Sequence, residues 1–580
     1  MSGTEDARLN YLEMHAEKAG YSRDDVQSAR VNASRAHPLS EAIEACARSM
    51  DEASINDLVP KLAGVIRRGT GLTTRVGAAR FIVSLAGRNG PALRAPAPQL
   101  TKALIESMRM DPSQAVRKAD VRGGLRCRPR EGSCRVSQPA SLSPLQLAHV
   151  QAVALAHVLK FSSPSRLDKT LDDLMGPVLE PGSLEGGGGA VDARRLLGMS
   201  LAELSKVSME AFAQLQARAL PLAFLLKHDA EDPESARLFG DVWEAGCASE
   251  SAGLGLYMRE VLDLIVGDMG LGGSSWWRKR TAAKALSSAA TKGKAVRALI
   301  DRADGIAAQL LVEIPGRLFE GKELYLDALG DLCEALPEQL APRAAEVLTA
   351  LVGALQRRRK DWVAATMRAW KKAVKGLAAK HDSLPVVVES VLLPACVVDA
   401  TPEPSGDGSK QTAKQSGAKE DEEDEKKPPR PPLQEALEVL SAALLADPAS
   451  LATQGERIST ELSGLLARNL PWATRVAALD SARHLADASY RLLSKAPVYR
   501  AWLSKLAPGA LASLEDLKIG QVRAAATNAL KALVGALQGD EGSLGDDNVR
   551  AMLVSGLGKA IELEKEIGLR VALGELRDKL

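Results

Sequence analysis

The feature that most constrains the fold is a short recurring pattern. It has a large apolar residue, an arginine three positions later, and two small residues two and three positions after the arginine. The stretch "WRKRTAA" shows it with Trp277, Arg280, Ala282 and Ala283. Small residues let two packed helices come close, because a larger side chain would force their backbones apart. Other copies are Trp472/Arg475/Ala477/Ala478, Leu72/Arg75/Gly77/Ala78 and Arg523/Ala525/Ala526, while "KDWVAATMRAW" keeps Trp362 but has Ala365 in the arginine position.

This pattern is typical of the second helix of a HEAT-type repeat, a helical hairpin of about 40 residues. The large apolar residue is expected to fill the seam between helices. The arginine is expected to cover apolar surface with its stem and to direct its head towards solvent or a neighbouring acid. Intervening segments place apolar residues with helical spacing, and no useful stretch alternates with period two. We therefore predict an all-α fold, a HEAT/armadillo-like α-solenoid of stacked helical hairpins.

Three segments interrupt the array: 120–146, the glycine-rich stretch 179–192 and 400–432, of which the first and last divide the chain. HEAT-like repeats are predicted over 1–119, 147–399 and 433–580. Segment 400–432 is polar, contains the acidic block Glu420–Glu425 and is predicted to be a disordered linker, or alternatively an interaction tail for a basic surface. Segment 120–146 is irregular and lacks the apolar helix that the repeat requires. We hypothesise that it is a gene-model error such as a translated intron, which transcript sequencing would test.

The remaining composition and motifs indicate no catalytic chemistry. The net charge of +2, from 75 basic and 73 acidic residues, argues against a dedicated nucleic-acid-binding protein. No apolar run approaches the ~18 residues of a membrane span, so no membrane insertion is expected. The glycine-rich stretch 179–192 lacks the Gly-Lys-Ser/Thr of a phosphate-binding loop. We predict no enzyme activity, no cofactor, no metal and no small-molecule substrate.

The isolated cysteines and one acidic cluster are expected to have structural roles rather than to bind metal. Cys46, Cys247, Cys333 and Cys396 are expected to be small, buried apolar side chains, and no zinc-type partner pair accompanies Cys127 and Cys134. The acidic stretch 228–235, "HDAEDPES", is interpreted as a helix cap and turn, with divalent-metal binding as the alternative.

Candidate partner-binding residues come from the aromatic and basic stretches. Trp276 precedes the recurring pattern and has no counterpart in the other copies, so Trp276 and Arg278 are predicted to contact a partner. The stretch 356–376 is the most basic and contains Trp362 and Trp370. It is interpreted as a solvated face over two core tryptophans, with an acidic protein partner or nucleic acid as alternatives. The candidate residues are Trp276, Arg278, Trp370, Arg357 and Arg358.

Several segments resemble the proteasome adapter and scaffold family of large HEAT-repeat proteins. They are 51–85, 220–246, 253–265, 274–290 and 318–329, and they contain "PLAFL", "VWEAG", "SSW" and "GKE" in that order. The likeness continues more weakly through "LPWATRVAAL" to the C-terminus. Because family members are several times longer, the chain is expected to correspond to their C-terminal portion.

The resemblance implies a non-catalytic adaptor that binds the proteasome core and regulatory particles and stabilises or monitors their association. It implies a role in ubiquitin-dependent degradation, links to endoplasmic-reticulum and vesicle compartments, and a cytoplasmic and nuclear location with proteasomes. No nucleic acid is expected as a partner. The alternative is a HEAT-repeat scaffold of the karyopherin or phosphatase-scaffold type.

Overall fold

The structure is a computed structural model that divides into two compact units, 1–282 and 283–580. It describes residues 45–68, 72–109, 144–180, 189–268, 270–377, 383–397, 430–446, 450–493, 498–516, 518–538 and 547–580. Every regular element in these ranges is helical. The predicted all-α fold class is therefore confirmed.

The first unit is built from long helices joined by short connections. Serines begin two of them: Ser208 and Ser249 accept hydrogen bonds from the amides of Ala211 and Ala252, which satisfies donors that a helix start leaves open. Pro164 and Pro233 occupy first-turn positions, where a missing N–H costs nothing. The helices are α1 (Glu52–Arg68), α2 (Leu72–Asn89), α3 (Ala97–Arg109), α4 (Pro144–Leu159), α5 (Pro164–Leu179), α6 (Gly189–Val207), α7 (Met209–Leu226), α8 (Pro233–Gly246), α9 (Glu250–Val266) and α10 (Trp276–Lys292), and α10 contains the unit boundary.

The second unit continues with the same kind of element. A π-helical turn, Val388–Leu392, joins two short helices into one segment. Its helices are α11 (Arg297–Glu313), α12 (Glu323–Ala335), α13 (Pro337–Leu340), α14 (Ala344–Leu355), α15 (Lys360–Leu377), α16 (Leu384–Val387), α17 (Leu393–Cys396), α18 (Leu433–Ala446), α19 (Leu451–Leu466), α20 (Trp472–Leu493), α21 (Val498–Ser504), α22 (Ala507–Leu514), α23 (Gly520–Gln538), α24 (Asp547–Leu563) and α25 (Ile567–Asp578).

Within each unit the helices pair as hairpins, and the hairpins stack. In the first unit the second helices α2, α4, α6 and α8 pack in succession. In the second unit α12, α15, α18, α20, α23 and α25 do the same, while the first helices form their own row. Each unit is therefore a HEAT-like α-solenoid, and its core lies between the two rows.

The small residues of the recurring pattern lie in these seams as predicted. Ala282, Ala283, Ala478 and Ala526 have no exposed surface. The arginine head groups meet acids: Arg475 pairs with Asp516 at 2.7 Å and Arg523 with Glu564 at 2.8 Å. The side chain of Leu72 lies outside the described residues.

The predicted interruptions share one topological position. We call the connection between the first and second helix of a hairpin its tip. Segment 120–146 belongs to the tip between α3 and α4, and the glycine-rich stretch to the tip between α5 and α6. The linker 400–432 belongs to the tip between α17 and α18. These three segments lie mostly outside the described residues, with α4 beginning at Pro144 and α18 at Leu433.

Candidate functional site

The two adjacent tryptophans at the start of α10 have opposite environments. Trp276 is 48% exposed and has Lys279 Nζ 5.9 Å from its ring centroid, whereas Trp277 is 6% exposed. The guanidinium of Arg194 from α6 stacks over the Trp277 ring at 4.4 Å. Trp277 therefore belongs to the packing of the first unit, and Trp276 presents an aromatic surface to solvent.

Arg278 is placed inside the fold rather than at its surface. Its side chain is 3% exposed and donates to the carbonyls of Val178 and Glu180, at 3.1 and 2.9 Å. These carbonyls lie at the C-terminal end of α5, where a helix leaves acceptors unsatisfied and its dipole favours a cation. Arg278 thus closes the end of a neighbouring helix, and Trp276 remains the accessible member of the predicted pair.

The acidic cluster 228–235 forms the tip between α7 and α8 and collects arginines from two other helices. Asp229 pairs with Arg194, and Asp232 accepts from Arg195 at 2.7 Å. Glu231 pairs with Arg280 of α10. Burial raises the pKa of Asp229, and Arg194 only partly opposes this effect. The turn part of the interpretation fits, because Asp229 also accepts from the Glu231 amide at 2.9 Å, whereas Asp232 stands at the start of α8 without a side-chain cap hydrogen bond.

No group of three or more His, Cys, Asp or Glu side chains in the described part of the chain could hold a metal ion. No helix among the described residues is long and apolar enough to cross a membrane.

The cysteines divide between core and surface. Cys333 and Cys396 are buried, and burial raises the pKa of the Cys333 thiol to about 12. Cys247 is half-buried, and Cys46 is exposed, so the predicted burial of Cys46 is wrong. Cys127 and Cys134 lie outside the described residues.

Four cations of the basic stretch 356–376 pair with acids on the two helices packed against α15. Three of its cations pair with the acid 41 residues earlier, on α12: Arg368 with Asp327, Lys372 with Asp331 and Lys375 with Glu334. Lys371 pairs with Glu438 of α18 at 2.8 Å. Trp362 and Trp370 are buried, with 1% and 0% exposure. Both tryptophans are therefore core residues, as predicted, and Trp370 offers no surface to a partner.

The arginines at the start of this stretch lie in the tip between α14 and α15. Arg357 is half-buried, with its guanidinium 4.7 Å from the Trp362 ring centroid. It donates to the carbonyls of Pro315 and Gly316, and burial lowers its pKa. Arg358 is exposed. Of the two, Arg358 is the more accessible to a partner.

Sequence reasoning missed two residues. Trp472 was expected to fill a seam but is 47% exposed, as a second accessible tryptophan at a helix start. Lys322, in the "GKE" segment, is 1% exposed and donates to the carbonyl of Arg317 at 3.0 Å. A buried lysine is rare without a partner, and no local spacing rule identifies it.

Comparisons with known proteins agree with the repeat architecture. The model of the proteasome adapter and scaffold protein ECM29, HEAT-repeat domain, matches residues 1–121. The human proteasome adapter and scaffold protein ECM29 is 27% identical over 361 residues. The predicted resemblance to the proteasome adapter and scaffold family is confirmed. The Drosophila melanogaster proteasome-associated protein ECM29 homolog is 22% identical over 340 residues, and the Schizosaccharomyces pombe proteasome component ecm29 is 21% identical over 355 residues.

The similarity to these adapter and scaffold proteins covers 59%, 57% and 61% of the chain, in the order human, fly and yeast. It covers only 17%, 15% and 18% of the relatives themselves. The chain thus matches a minor part of proteins that are much longer.

Solved structures are similar to this chain at lower sequence identity. The karyopherin Kap121p bound to Ste12p has a TM-score of 0.41 at 11% identity, covering 98% of this chain and 48% of that one. An engineered protein has a TM-score of 0.40 at 13% identity, covering 91% and 99% of the two chains. At these TM-scores no functional conclusion follows from them.

Proposed function

We propose that this chain is a non-catalytic proteasome adaptor or scaffold that binds the core and regulatory particles and stabilises or monitors their association. The observation that carries the proposal is the sequence similarity to proteins named proteasome adapter and scaffold, spread over more than half of the chain. Stacked hairpins suit this task, because each repeat adds surface and a partner can be held through many modest contacts. Such a scaffold would act in ubiquitin-dependent degradation wherever proteasomes occur, in the cytoplasm and nucleus.

Within this function, Trp276 and Arg358 are proposed as partner contacts. Exposed tryptophans provide much of the binding energy at protein interfaces, and Trp276 is 48% exposed at the start of α10. Arg358 is exposed at a hairpin tip. Arg278, Trp370 and Arg357 would support these contacts only indirectly, since their side chains are engaged within the fold.

The test is affinity purification of the tagged chain from cells, followed by identification of bound proteins. Core and regulatory particle subunits are expected together at salt concentrations near physiological. Purification that yields import cargoes or phosphatase subunits instead would favour the karyopherin or phosphatase-scaffold alternative. A clean purification without proteasome subunits would overturn the proposal.

A matched pair of variants tests the role of Trp276. Trp276→Ala is expected to reduce proteasome recovery several-fold, whereas Trp472→Ala removes a tryptophan of similar exposure from the other unit. Equal recovery with Trp276→Ala and the parent chain would exclude Trp276 as a contact.

A further inference from the structure

The hairpin tips are the edge on which this array tolerates additions. The three long interruptions of the repeat pattern all connect the first helix of a hairpin to its second. Connections between successive hairpins can be much shorter, as at Ser208 between α6 and α7. Insertions in solenoids gather on one face, which is often the binding face. The hairpin tips of the second unit are therefore a surface on which a partner can bind.

Two adjoining tips of that unit are held together from within. The tip between α11 and α12 spans 314–322, and the next described tip spans 356–359. Arg357 of the second donates to the carbonyls of Pro315 and Gly316 in the first, the latter at 3.0 Å. Its position over the Trp362 ring fixes the direction of its head group. The two tips thus form one continuous surface.

A second cation, Lys322, is buried and fixes the conformation of the first tip. Lys322 Nζ donates to the Arg317 carbonyl at 3.0 Å while its side chain is almost wholly buried. Gly321 beside it has a φ of 86°, which favours glycine at this turn. Two cations therefore engage the backbone of a surface loop, and a loop ordered in advance loses less entropy when it binds a partner.

The side chains that this arrangement leaves outside are basic and apolar. We call Arg317, Leu318, Arg358 and Arg359 the tip patch; all four are exposed, Leu318 by 39%. Val312, in the last turn of α11, is 78% exposed. The acids nearby in sequence are Glu313, Glu320, Glu323 and Asp361; Glu313 and Glu323 are half-buried, and Asp361 lies 3.7 Å from Arg359. Exposed arginines and an exposed leucine thus lie on these two connected tips.

We propose that the tip patch docks an acidic protein segment, with an apolar residue of that segment packing on Leu318. An interface with an apolar centre and a charged rim has this composition, and complementary charge directs the encounter. Nucleic acid is the poorer match, because Trp362 and Trp370 are buried and no tryptophan near the patch is accessible for base stacking. The inference deepens the proposed scaffold function and rests on it for the identity of the partner.

The test uses fluorescence anisotropy with the full chain and a defined probe. The probe is a fluorescein-labelled peptide of eight glutamate and aspartate residues with one central leucine. Comparison probes are the same peptide with lysine in place of the acids, and a single-stranded RNA oligonucleotide. The acidic peptide is expected to bind, more tightly at low salt, and the lysine peptide is not.

Variants locate the binding. Arg317→Glu/Arg358→Glu is expected to weaken acidic-peptide binding by about tenfold. Leu318→Ser is expected to weaken it several-fold even where salt screens the charges. Lys292→Glu/Lys294→Glu is the matched control, since both lysines are exposed in the same unit at the connection between hairpins. The control is expected to bind like the parent, and circular dichroism checks that every variant is folded.

Four results would overturn the proposal. Equal weakening by the control variant would show attraction to overall charge, and tighter binding of the RNA would assign the patch to nucleic acid. Peptide binding that appears only after Glu420–Glu425 is neutralised would assign the patch to this chain's own acidic block. Self-association lost in the Arg317→Glu/Arg358→Glu variant would assign it to a second copy. Because the assay contains no proteasomes, failure of the peptide to bind is distinguishable from failure of the scaffold function.

Discussion

Arg278 shows how a surface-like sequence can encode an internal contact. It stands in a run of three cations after two tryptophans, yet its guanidinium satisfies carbonyls of α5 that lie 98 to 100 residues earlier in the chain. Hydrogen bonds from a charged donor to otherwise open helix-end carbonyls are worth more than neutral ones. The residue therefore contributes to the stability of the first unit.

Arg278→Met is expected to lower the free energy of unfolding of the first unit by about 2–3 kcal/mol, because it keeps the apolar stem but leaves buried carbonyls unsatisfied. Hydrogen exchange should accelerate most at the C-terminal end of α5. Trp276→Ala, two residues away, should change stability by no more than about 0.5 kcal/mol. Unchanged exchange in α5 with Arg278→Met would contradict the assigned role.

The burial of a tryptophan in the recurring pattern depends on how far inside its helix the residue lies. Trp362, Trp277 and Trp472 all occupy the large apolar position of the recurring pattern. Trp362 is the third residue of its helix, Trp277 the second and Trp472 the first, and their exposures are 1%, 6% and 47%. A ring at the first position has no preceding turn beside it to cover it. Helix starts are uncertain by one or two residues from sequence, so the exposure of Trp472 could not be predicted.

At the scale of the helix, the recurring arginines form a ladder along the last hairpins. Arg475 reaches Asp516, which also accepts from the amides of Lys518 and Ile519 at the start of α23. One hairpin later, Arg523 reaches Glu564, which accepts from the amides that precede α25. Each acid orders the backbone turn that precedes a helix and joins that turn to the previous hairpin. The sequence predicts a head group facing a neighbouring acid, but the partner 41 residues away emerges only from the stacking.

The ladder makes the last hairpin sensitive to acid. Burial by itself would raise the pKa of Glu564, but Arg523 and two backbone amides outweigh it, and the net pKa is lowered from 4.5. A carboxyl with a lowered pKa stabilises the fold above its unfolded pKa. This contribution is lost as the pH falls below 4.5 and through the folded pKa.

Glu564→Gln is therefore expected to lower the stability of the last hairpin at neutral pH by about 1–3 kcal/mol and to reduce its loss of stability on acidification. Hydrogen exchange in α23 and α25, measured from pH 7 down to pH 3.5, separates the two effects. Lys531→Gln, at an exposed position of α23, is the control. A parent and variant that lose protection in parallel below pH 4.5 would exclude Glu564 as the titrating group.

At the scale of the whole chain, many charged side chains form ion pairs between neighbouring repeats. Pairs such as Arg368–Asp327, Lys372–Asp331 and Arg523–Glu564 join hairpins that are adjacent in a stack. This use of charge is compatible with a net charge of +2 in a chain that is 26% charged. The fold class was predictable, because hydrophobic periodicity is a local signal. The placement of the three interrupting segments between the first and second helices of hairpins was not, since it requires knowing which helices pair.

Each hairpin in a stack contacts mainly its neighbours, so damage should remain local. Gly376 of α15 allows α15 to pack closely on α12. A Cβ at this position would lie 2.0 Å from the carbonyl oxygen of Cys333 on α12. Gly330 of α12 faces Ala369 in the same way, since a Cβ added to Gly330 would lie 2.9 Å from the Ala369 Cα. These contacts involve backbone, which no rotamer change can relieve. The close approach of α12 and α15 therefore depends on glycine.

Gly376→Ala is expected to force α12 and α15 apart and to destabilise that pair of hairpins by about 1–3 kcal/mol. Hydrogen exchange should accelerate in α12, α14 and α15, while α24 and α25, four hairpins beyond α15 along the same stack, keep their protection, because stability in a solenoid is a sum of local and nearest-neighbour terms. Gly353→Ala in α14 is the matched control: its Cβ would meet nothing within 4 Å, and alanine is the better helix former. Uniform loss of protection across the second unit with Gly376→Ala would show that the hairpins unfold as one cooperative body instead.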